Sequence, residues 1–359
     1  MLVHICCAID SHYFLQKLIQ DFPNEELVGF FYDPNIHPYS EYYLRLLEVK
    51  RSCKKLGIEL IEGEYDYDTW LNRVRGFENE PEKGKRCSIC FDHRFEVSAK
   101  MCADLGHKSF TSTLLTSPKK SLQQLKQSGE VLAKRYGIEF VVPDYRKKSG
   151  TQLQNIMAKE AKLYRQDYCG CIFGLKKQRQ EQNRLEDELF VPISKQIQYE
   201  SIEERINLYE RRVKLEDRGI SYRIIKERFL NWRLLYALLR DKNGTIPSHI
   251  LPYSTLKGNY TRGKVESSVH LLHLLNRSEV AFLRLNDYNM YTGTNYKTIY
   301  ELIFNPPTFE SEISLRRVLK PNPWDLGTIV VVEDIPIKKI ELKMDSRAYE
   351  DVRERIILS

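Results

Sequence analysis

Short apolar runs alternate with stretches of helical periodicity through the first half of the chain. Residues 2–6 read as a buried strand, and residues 11–21 place Phe14, Leu15, Leu18 and Ile19 on one helical face. Residues 27–32 form a second apolar run, closed by the turn signal Asp33-Pro34-Asn35. A helix over 40–56 is capped by Ser40 and stopped by Gly57. Residues 58–61 predict a third strand, 65–76 a polar helix, 79–84 a loop, and 90–105 a helix ended by Gly106. A threonine-rich strand (109–115), a helix (120–136) stopped at Gly137, a strand (138–142) and a helix (151–164) follow. That last helix delivers the chain to Cys169-Gly170-Cys171. Such alternation predicts an α/β fold with a mostly parallel sheet and helices on both faces.

The pattern changes near Lys176. Residues 176–188 are charged and glutamine-rich, and 202–218 have helical spacing with heavy charge. Beyond Ser221 the pattern is less regular. Ala281-Phe282-Leu283 and Ile329-Val330-Val331-Val332 read as strands, and Asn305-Pro306-Pro307 and Pro321-Asn322-Pro323 as turns. The expected organisation is a catalytic α/β domain over 1–178, a linker over 179–200, and a smaller α+β domain over 201–359. Internal repeats and low-complexity tracts are absent.

Composition narrows the class. Of 359 residues, 42% are hydrophobic and 29% charged, ordinary for a globular protein. No apolar run approaches the ~18 residues of a membrane span, and the N-terminus lacks a secretory pattern. A cytoplasmic location, where thiols stay reduced, is expected. The formal net charge is +7, compatible with an RNA or nucleotide partner. From Lys176 onward, 31 Lys and Arg face 26 Asp and Glu, so most of this excess lies in the second half.

The eight cysteines carry the chemical signal. All lie at or before Cys171, and six come in close pairs: Cys6-Cys7, Cys87-x-x-Cys90 and Cys169-x-Cys171. Cys6-Cys7 ends the first strand, where ligands bind in open α/β sheets. An adjacent pair forms a strained disulfide, whereas two thiolates in a crevice suit a metal. Cys87 and Cys90 precede a predicted helix, whose N-terminus stabilises thiolate charge. A lone CxxC is also compatible with buried cysteines or a redox pair. Structural zinc usually takes two CxxC pairs; an iron–sulfur cluster takes four cysteines with freer spacing. Four thiols on a cluster leave two for a separate metal. Two thiolates and a carboxylate would suit mononuclear iron or zinc with an open position, and Asp10, three residues after Cys7, can be that carboxylate or a helix cap. Cys53 and Cys102 sit at helical apolar positions and read as core, as does His4 within its strand.

Four stretches together resemble the QueH-type epoxyqueuosine reductases: His4-Ile5-Cys6-Cys7-Ala8, Gly29 to Pro38, Arg86-Cys87-Ser88-Ile89-Cys90-Phe91, and Tyr164 to Cys171. The resemblance covers roughly residues 1–175. It implies an adenine-nucleotide α-hydrolase type of fold whose phosphate loop has become the Cys-Cys turn. It implies a [4Fe-4S] cluster beside a mononuclear metal, iron or zinc. It also implies an enzyme that reduces epoxyqueuosine at the wobble position of tRNA to queuosine, with an external electron donor. Many family members stop near the Cys-x-Cys motif, so no role transfers to the second half.

Within that reading, Cys87 and Cys90 hold the cluster. Adjacent thiols point in different directions, so the other pairs are expected to divide: Cys7 and Cys169 to the cluster, Cys6 and Cys171 with Asp10 to the metal. The sequence does not distinguish the members of each pair. Tyr32, Asp33 and His37, ending the second strand, are further catalytic candidates; Asp33 can equally cap its turn. Tyr164, Arg165 and Tyr168 could stack and pair with an extruded base, or simply end a helix. Lys119-Lys120 and 145–148 are candidate phosphate contacts, as are the basic pairs Arg211-Arg212, Arg316-Arg317 and Lys338-Lys339, and the basic C-terminal domain over 201–359 is expected to hold the tRNA body. Two other classes fit the thiol-rich crevice: an ATP-dependent tRNA thiolase, and a non-enzymatic cluster-containing sensor that binds nucleic acid. The first needs a Gly/Ser-rich phosphate loop, and Cys-Cys-Ala-Ile-Asp-Ser contains no glycine.

Overall fold

The computed structural model describes residues 1–117, 121–147, 149–275 and 280–358. Lys119, Lys120 and Lys148 lie outside them. The described chain divides into two units: Met1–Leu189 with Arg205–Tyr222 and Leu358, and Phe190–Glu204 with Arg223–Ile357.

The first unit is built on five parallel strands: β1 (Leu2–Ile5), β2 (Val28–Phe31), β3 (Glu59–Glu62), β4 (Ser109–Ser112) and β5 (Glu139–Phe140). Their order is β3-β2-β1-β4-β5, so β1 is central. The expected α/β class is therefore observed. β1 and β2 are buried along their whole length, which explains continuous apolar runs rather than alternation. Gly29 permits close strand packing: a Cβ there would lie 2.9 Å from Ile5 Cδ1 and 3.0 Å from Leu60 Cδ1.

The connecting helices are α1 (Ala8–Asp21), α2 (Tyr39–Leu56), α3 (Tyr67–Arg73), α4 (Lys85–Asp104), α5 (Leu122–Tyr136) and α6 (Gly150–Glu160). They are followed by α7 (Ile172–Glu181) and α8 (Ile202–Asp217). α1 buries Phe14, Leu15 and Leu18 against the sheet core. α2 stops at Gly57, whose φ of 67° is the left-handed conformation expected of a glycine stop. Several boundaries differ from expectation, and two of them bear on the site. α4 starts at Lys85, so Cys87 lies within the helix expected to begin at Cys90. The predicted strand over 109–115 ends at Ser112 and becomes a 3-10 turn over Thr113–Thr116, with Ser112 capping it through Leu114 N–H.

α8 packs within this first unit through buried charge. Arg212 donates to Glu48 Oε1 and, at 2.6 Å, to the Lys162 carbonyl; Tyr164 N–H donates to Glu48 Oε2 at 2.7 Å. Arg51 makes two bonds to Glu216, at 2.8 and 2.6 Å.

The second unit holds two sheets. Its strands are β6 (Tyr222–Asp241), β7 (Gly244–Thr245), β8 (His249–Ile250), β9 (Tyr260–Gly263), β10 (Val265–Val269), β11 (Leu272–Leu275), β12 (Ala281–Arg284), β13 (Ile329–Val332) and β14 (Ile340–Leu358). One sheet runs β10-β11-β12-β13-β8, the other β7-β6-β14-β9. β12 and β13 are parallel and joined through α9 (Leu285–Thr292), α10 (Ile299–Phe304) and α11 (Phe309–Leu319). The irregular region after Ser221 thus contains a 20-residue strand.

Two outcomes test these charge contacts. Glu48→Ala leaves buried Arg212 without its carboxylate and should lower unfolding free energy by roughly 3 kcal/mol or more in urea titration; a loss below about 1 kcal/mol would contradict the role. Glu216 is held down to about 2: burial opposes, but the Arg51 bonds, the Tyr222 hydroxyl and nearby Lys55 outweigh it. Its stabilisation is full above the ordinary carboxylate range and is lost as pH falls toward 2. Melting temperatures measured from pH 5 to pH 2 should therefore fall less steeply in Glu216→Gln than in the parent.

Candidate metal centre

The carboxyl ends of the central strands feed one cavity of about 170 Å³ in the first unit. All six paired cysteines line it: Cys6, Cys7, Cys87, Cys90, Cys169 and Cys171. Each arrives by a different local device. Cys6 and Cys7 occupy the turn between β1 and α1, with Cys7 at the helix N-cap and its carbonyl accepting from Ser11 N–H at 3.1 Å. Cys87 and Cys90 project from the first turns of α4. Cys169 and Cys171 flank Gly170, whose φ is +105° and whose added Cβ would meet Ile36 Cγ1 at 2.7 Å. Only glycine suits that place.

The two adjacent thiols converge: Cys6 Sγ lies 3.9 Å from Cys7 Sγ and 3.8 Å from Asp10 Oδ2. Donor atoms of Cys6, Cys7 and Asp10 all fall within 4.8 Å of one another. Gln154 on α6 donates to Asp10 Oδ1 at 2.6 Å, orienting the carboxylate. Asp10 therefore has side-chain partners other than a cap bond to its own helix. The Cys7 bond, burial, and the Cys7 and Asp10 charges push the Cys6 thiol up. Burial also raises Asp10, against its bonds to Cys7, Gln154 and Cys6. Cys171 is raised in the same way by its Cys169 bond and by burial. Cys90 and Cys171 share a small apolar cluster with Trp70 and Val74.

Positive charge is built in beside the thiols. Buried Arg94, on α4 one turn after Cys90, donates to Asp33 Oδ1. Burial works against its charge, but Cys90, Asp33 and Cys6 outweigh that and hold it above its ordinary value. Asp33 is itself buried, which raises its carboxyl while Arg94 opposes the rise. Asp33 Oδ2, Asn35 Oδ1 and Arg94 Nε are buried without a hydrogen-bond partner, and all three residues line the cavity. Arg94 was not singled out from sequence, and Asn35 only as part of a turn signal. The i+4 spacing from Cys90 was the available signal for Arg94.

Other expected site residues sit elsewhere. Tyr32 and His37 do not line the cavity. The Tyr32 hydroxyl donates to Asp66 Oδ1 at 2.8 Å and contacts His93 Nε2 at 3.0 Å. His37 stacks on Tyr67. Tyr164 is buried and donates to Glu41 Oε2 at 3.0 Å, so it supports the interior rather than offering a stacking face. Exposed Arg165 bonds Asn155 at 2.7 Å. Tyr168 does line the cavity, beneath Arg45 and with its hydroxyl on the His37 carbonyl at 2.7 Å. His4 is a satisfied core residue, bonded to Ser112 Oγ at 2.8 Å and pushed down to about 3 by burial. Cys53 and Cys102 are also core, their thiols pushed up by burial to about 12 and about 11. Among the candidate basic pairs, Arg212 and Arg316 are buried and bonded internally, Arg316 to the carbonyls of Pro252, Asp325 and Gly327.

Comparison with known proteins settles the family. A profile described as "Epoxyqueuosine reductase QueH" matches residues 1–177. The chain is 39% identical over 365 residues to the epoxyqueuosine reductase QueH of Helicobacter pylori, covering 98% of each chain. The chain belongs to the epoxyqueuosine reductase QueH family. It is an oxidoreductase of that class, and the thiolase and sensor readings fall away. The QueH of Haemophilus influenzae is 38% identical over 194 residues, covering 53% of this chain and 78% of that one. The QueH of Thermotoga maritima is 34% identical over 184 residues, covering 50% of this chain and 93% of that one. The cysteine-lined cavity falls within residues 1–177 matched by the family profile, while the match to the Helicobacter relative extends through the second unit. No described helix is long and apolar enough to cross a membrane.

Gly170→Ala tests how tightly the last cysteine pair is placed. Strain and the Ile36 contact should cost at least about 1 kcal/mol and lower the amount of metal retained after desalting. Unchanged stability and metal content would show that the loop can relax.

Proposed function

We propose that this QueH chain reduces epoxyqueuosine in tRNA to queuosine, using a [4Fe-4S] cluster and an adjacent mononuclear metal, iron or zinc, in the cysteine-lined cavity. The observation that carries the proposal is the gathering of six thiols and Asp10 around one cavity. The donor set fits: four soft thiolates suit a cluster, and two thiolates with a carboxylate suit a metal that keeps an open position. Convergence of Cys6 and Cys7 favours keeping pairs together over dividing them. Cys6, Cys7 and Asp10 then hold the metal, and Cys87, Cys90, Cys169 and Cys171 the cluster. When bound, these groups supply single electrons and an electrophilic centre for an oxygen ligand.

Removing an epoxide oxygen as water and restoring the carbon–carbon double bond consumes two electrons and two protons. The electrons come from an external donor. The chain's own residues manage charge and protons. Gln154 holds Asp10 Oδ1, leaving Oδ2 turned to Cys6. Arg94 balances the negative charge that Cys6 and Cys90 bring into the cavity. Asp33, with its raised carboxyl and unpartnered Oδ2, is the group we assign to hold a proton for the departing oxygen. Tyr168, on the cavity wall, is placed to meet a base inserted there. Reduced thiols of this kind call for the cytoplasm.

Asp10→Ala should preserve the cluster's visible absorption and about four sulfides per chain, lose the mononuclear metal, and abolish conversion of epoxyqueuosine in tRNA. Full activity in that variant would remove Asp10 from the chemistry. Cys7→Ser decides the partition. Loss of the single metal with sulfide retained supports intact pairs; loss of sulfide returns Cys7 to the cluster.

A further inference from the structure

One end of the β7-β6-β14-β9 sheet, in the second unit, forms an open groove of about 880 Å³. Six cations line it: Arg240, Lys242, Arg262, Lys264, Lys338 and Lys339. They come from neighbouring strand ends. Arg240 lies near the end of β6 and Lys242 in its hairpin; Arg262 lies in β9 and Lys264 just beyond it; Lys338 and Lys339 lead into β14. β14 pairs with β9 through Glu341 opposite Arg262, and neighbouring strands lie only ~4.8 Å apart. The groove therefore concentrates positive charge from three chain segments.

Its two carboxylates are already engaged. Glu341 is bound by Arg240 at 2.7 Å and Arg262 at 3.3 Å. Asp241 accepts from Asn243 N–H at 2.7 Å, closing the hairpin. Lys242, Lys264, Lys338 and Lys339 are all exposed, and none is ion-paired among the described residues. Arg212 and Arg316, from the other basic pairs of this half, are instead buried in internal contacts. Four uncommitted ammonium groups at one sheet end repel each other unless an anion lies among them.

We infer that this groove binds the phosphate backbone of the tRNA body, outside the anticodon stem-loop. The inference rests on the tRNA substrate proposed above. A concave row of cations interleaved with Asn243 and Thr245, both potential phosphate donors, suits a polynucleotide backbone. A membrane surface is a poorer match, because peripheral binding also requires an apolar face, and only Leu238 and Ile337 are apolar among the lining residues.

The test is a full-length holoenzyme carrying Lys242→Gln, Lys264→Gln, Lys338→Gln and Lys339→Gln, compared with the parent. A second quadruple variant, Lys100→Gln, Lys126→Gln, Lys134→Gln and Lys159→Gln, controls for net charge. Binding is measured to an unmodified full-length tRNA transcript and to an isolated anticodon stem-loop across a salt series. The groove variant should bind full-length tRNA at least about tenfold more weakly and lower the salt slope by about 3. Stem-loop binding, cluster content and kcat at saturating tRNA should be unchanged. Equal weakening on both RNAs, equal weakening in the control, or unchanged tRNA affinity would overturn the assignment. So would unchanged tRNA affinity together with lost binding to phosphatidylglycerol vesicles, which would mark a membrane surface. Failure of the parent enzyme to convert epoxyqueuosine in tRNA would defeat the functional proposal itself, independently of the groove variant.

Discussion

Six thiols cannot share a small cavity as thiolates without positive charge beside them. Their bonds to Cys7 and Cys169, then burial and neighbouring negative charge, push Cys6 and Cys171 toward the protonated state, while a cluster or metal requires them deprotonated. Arg94 supplies fixed positive charge at this site and bonds Asp33, and its position on α4 is dictated by the same helix that carries Cys87 and Cys90. The surrounding fold serves that constraint. The parallel sheet brings the β1 and β2 ends together, α4 delivers two thiols and their counter-charge, and Gly170 lets the last loop pass close to Ile36.

Much of this was legible in the sequence because it depends on local rules. Apolar strands separated by amphipathic helices announce a parallel sheet, and Gly57 and Gly137 end their helices in the left-handed conformation their positions imply. The cysteine pairs stood out by spacing alone. What could not be read depends on tertiary contact. Arg94 looks like an ordinary helix arginine until its burial beside Asp33 is seen. Tyr164 looks like an exposed aromatic at a helix end until Glu41 and Glu48 are found on either side of it. β6 escaped detection because its buried and exposed positions do not alternate with period two.

The second unit has its own physical logic. One core gathers Trp232, Phe282 and Met344, and another gathers Leu283, Tyr288 and Ile299. Between helices and sheet, buried Glu312 accepts from Tyr288 at 2.8 Å and Gln196 at 3.0 Å and contacts His249 at 2.6 Å. Charge is thus spent differently in its interior and on its surface: ion pairs and carbonyl bonds inside, uncommitted lysines along one sheet end. The matching extent of the Helicobacter relative, 98% of both chains, means this addition is shared with another QueH rather than peculiar to one sequence.

The most direct test of the central claim is a single preparation, purified without oxygen, in which iron, zinc and acid-labile sulfide are counted and epoxyqueuosine-containing tRNA is supplied with a chemical reductant. About four sulfides per chain, one metal beyond the cluster's four irons, and queuosine in the nucleoside digest are expected. Zinc without sulfide, or a complete cluster and extra metal with no queuosine formed, would contradict the claim.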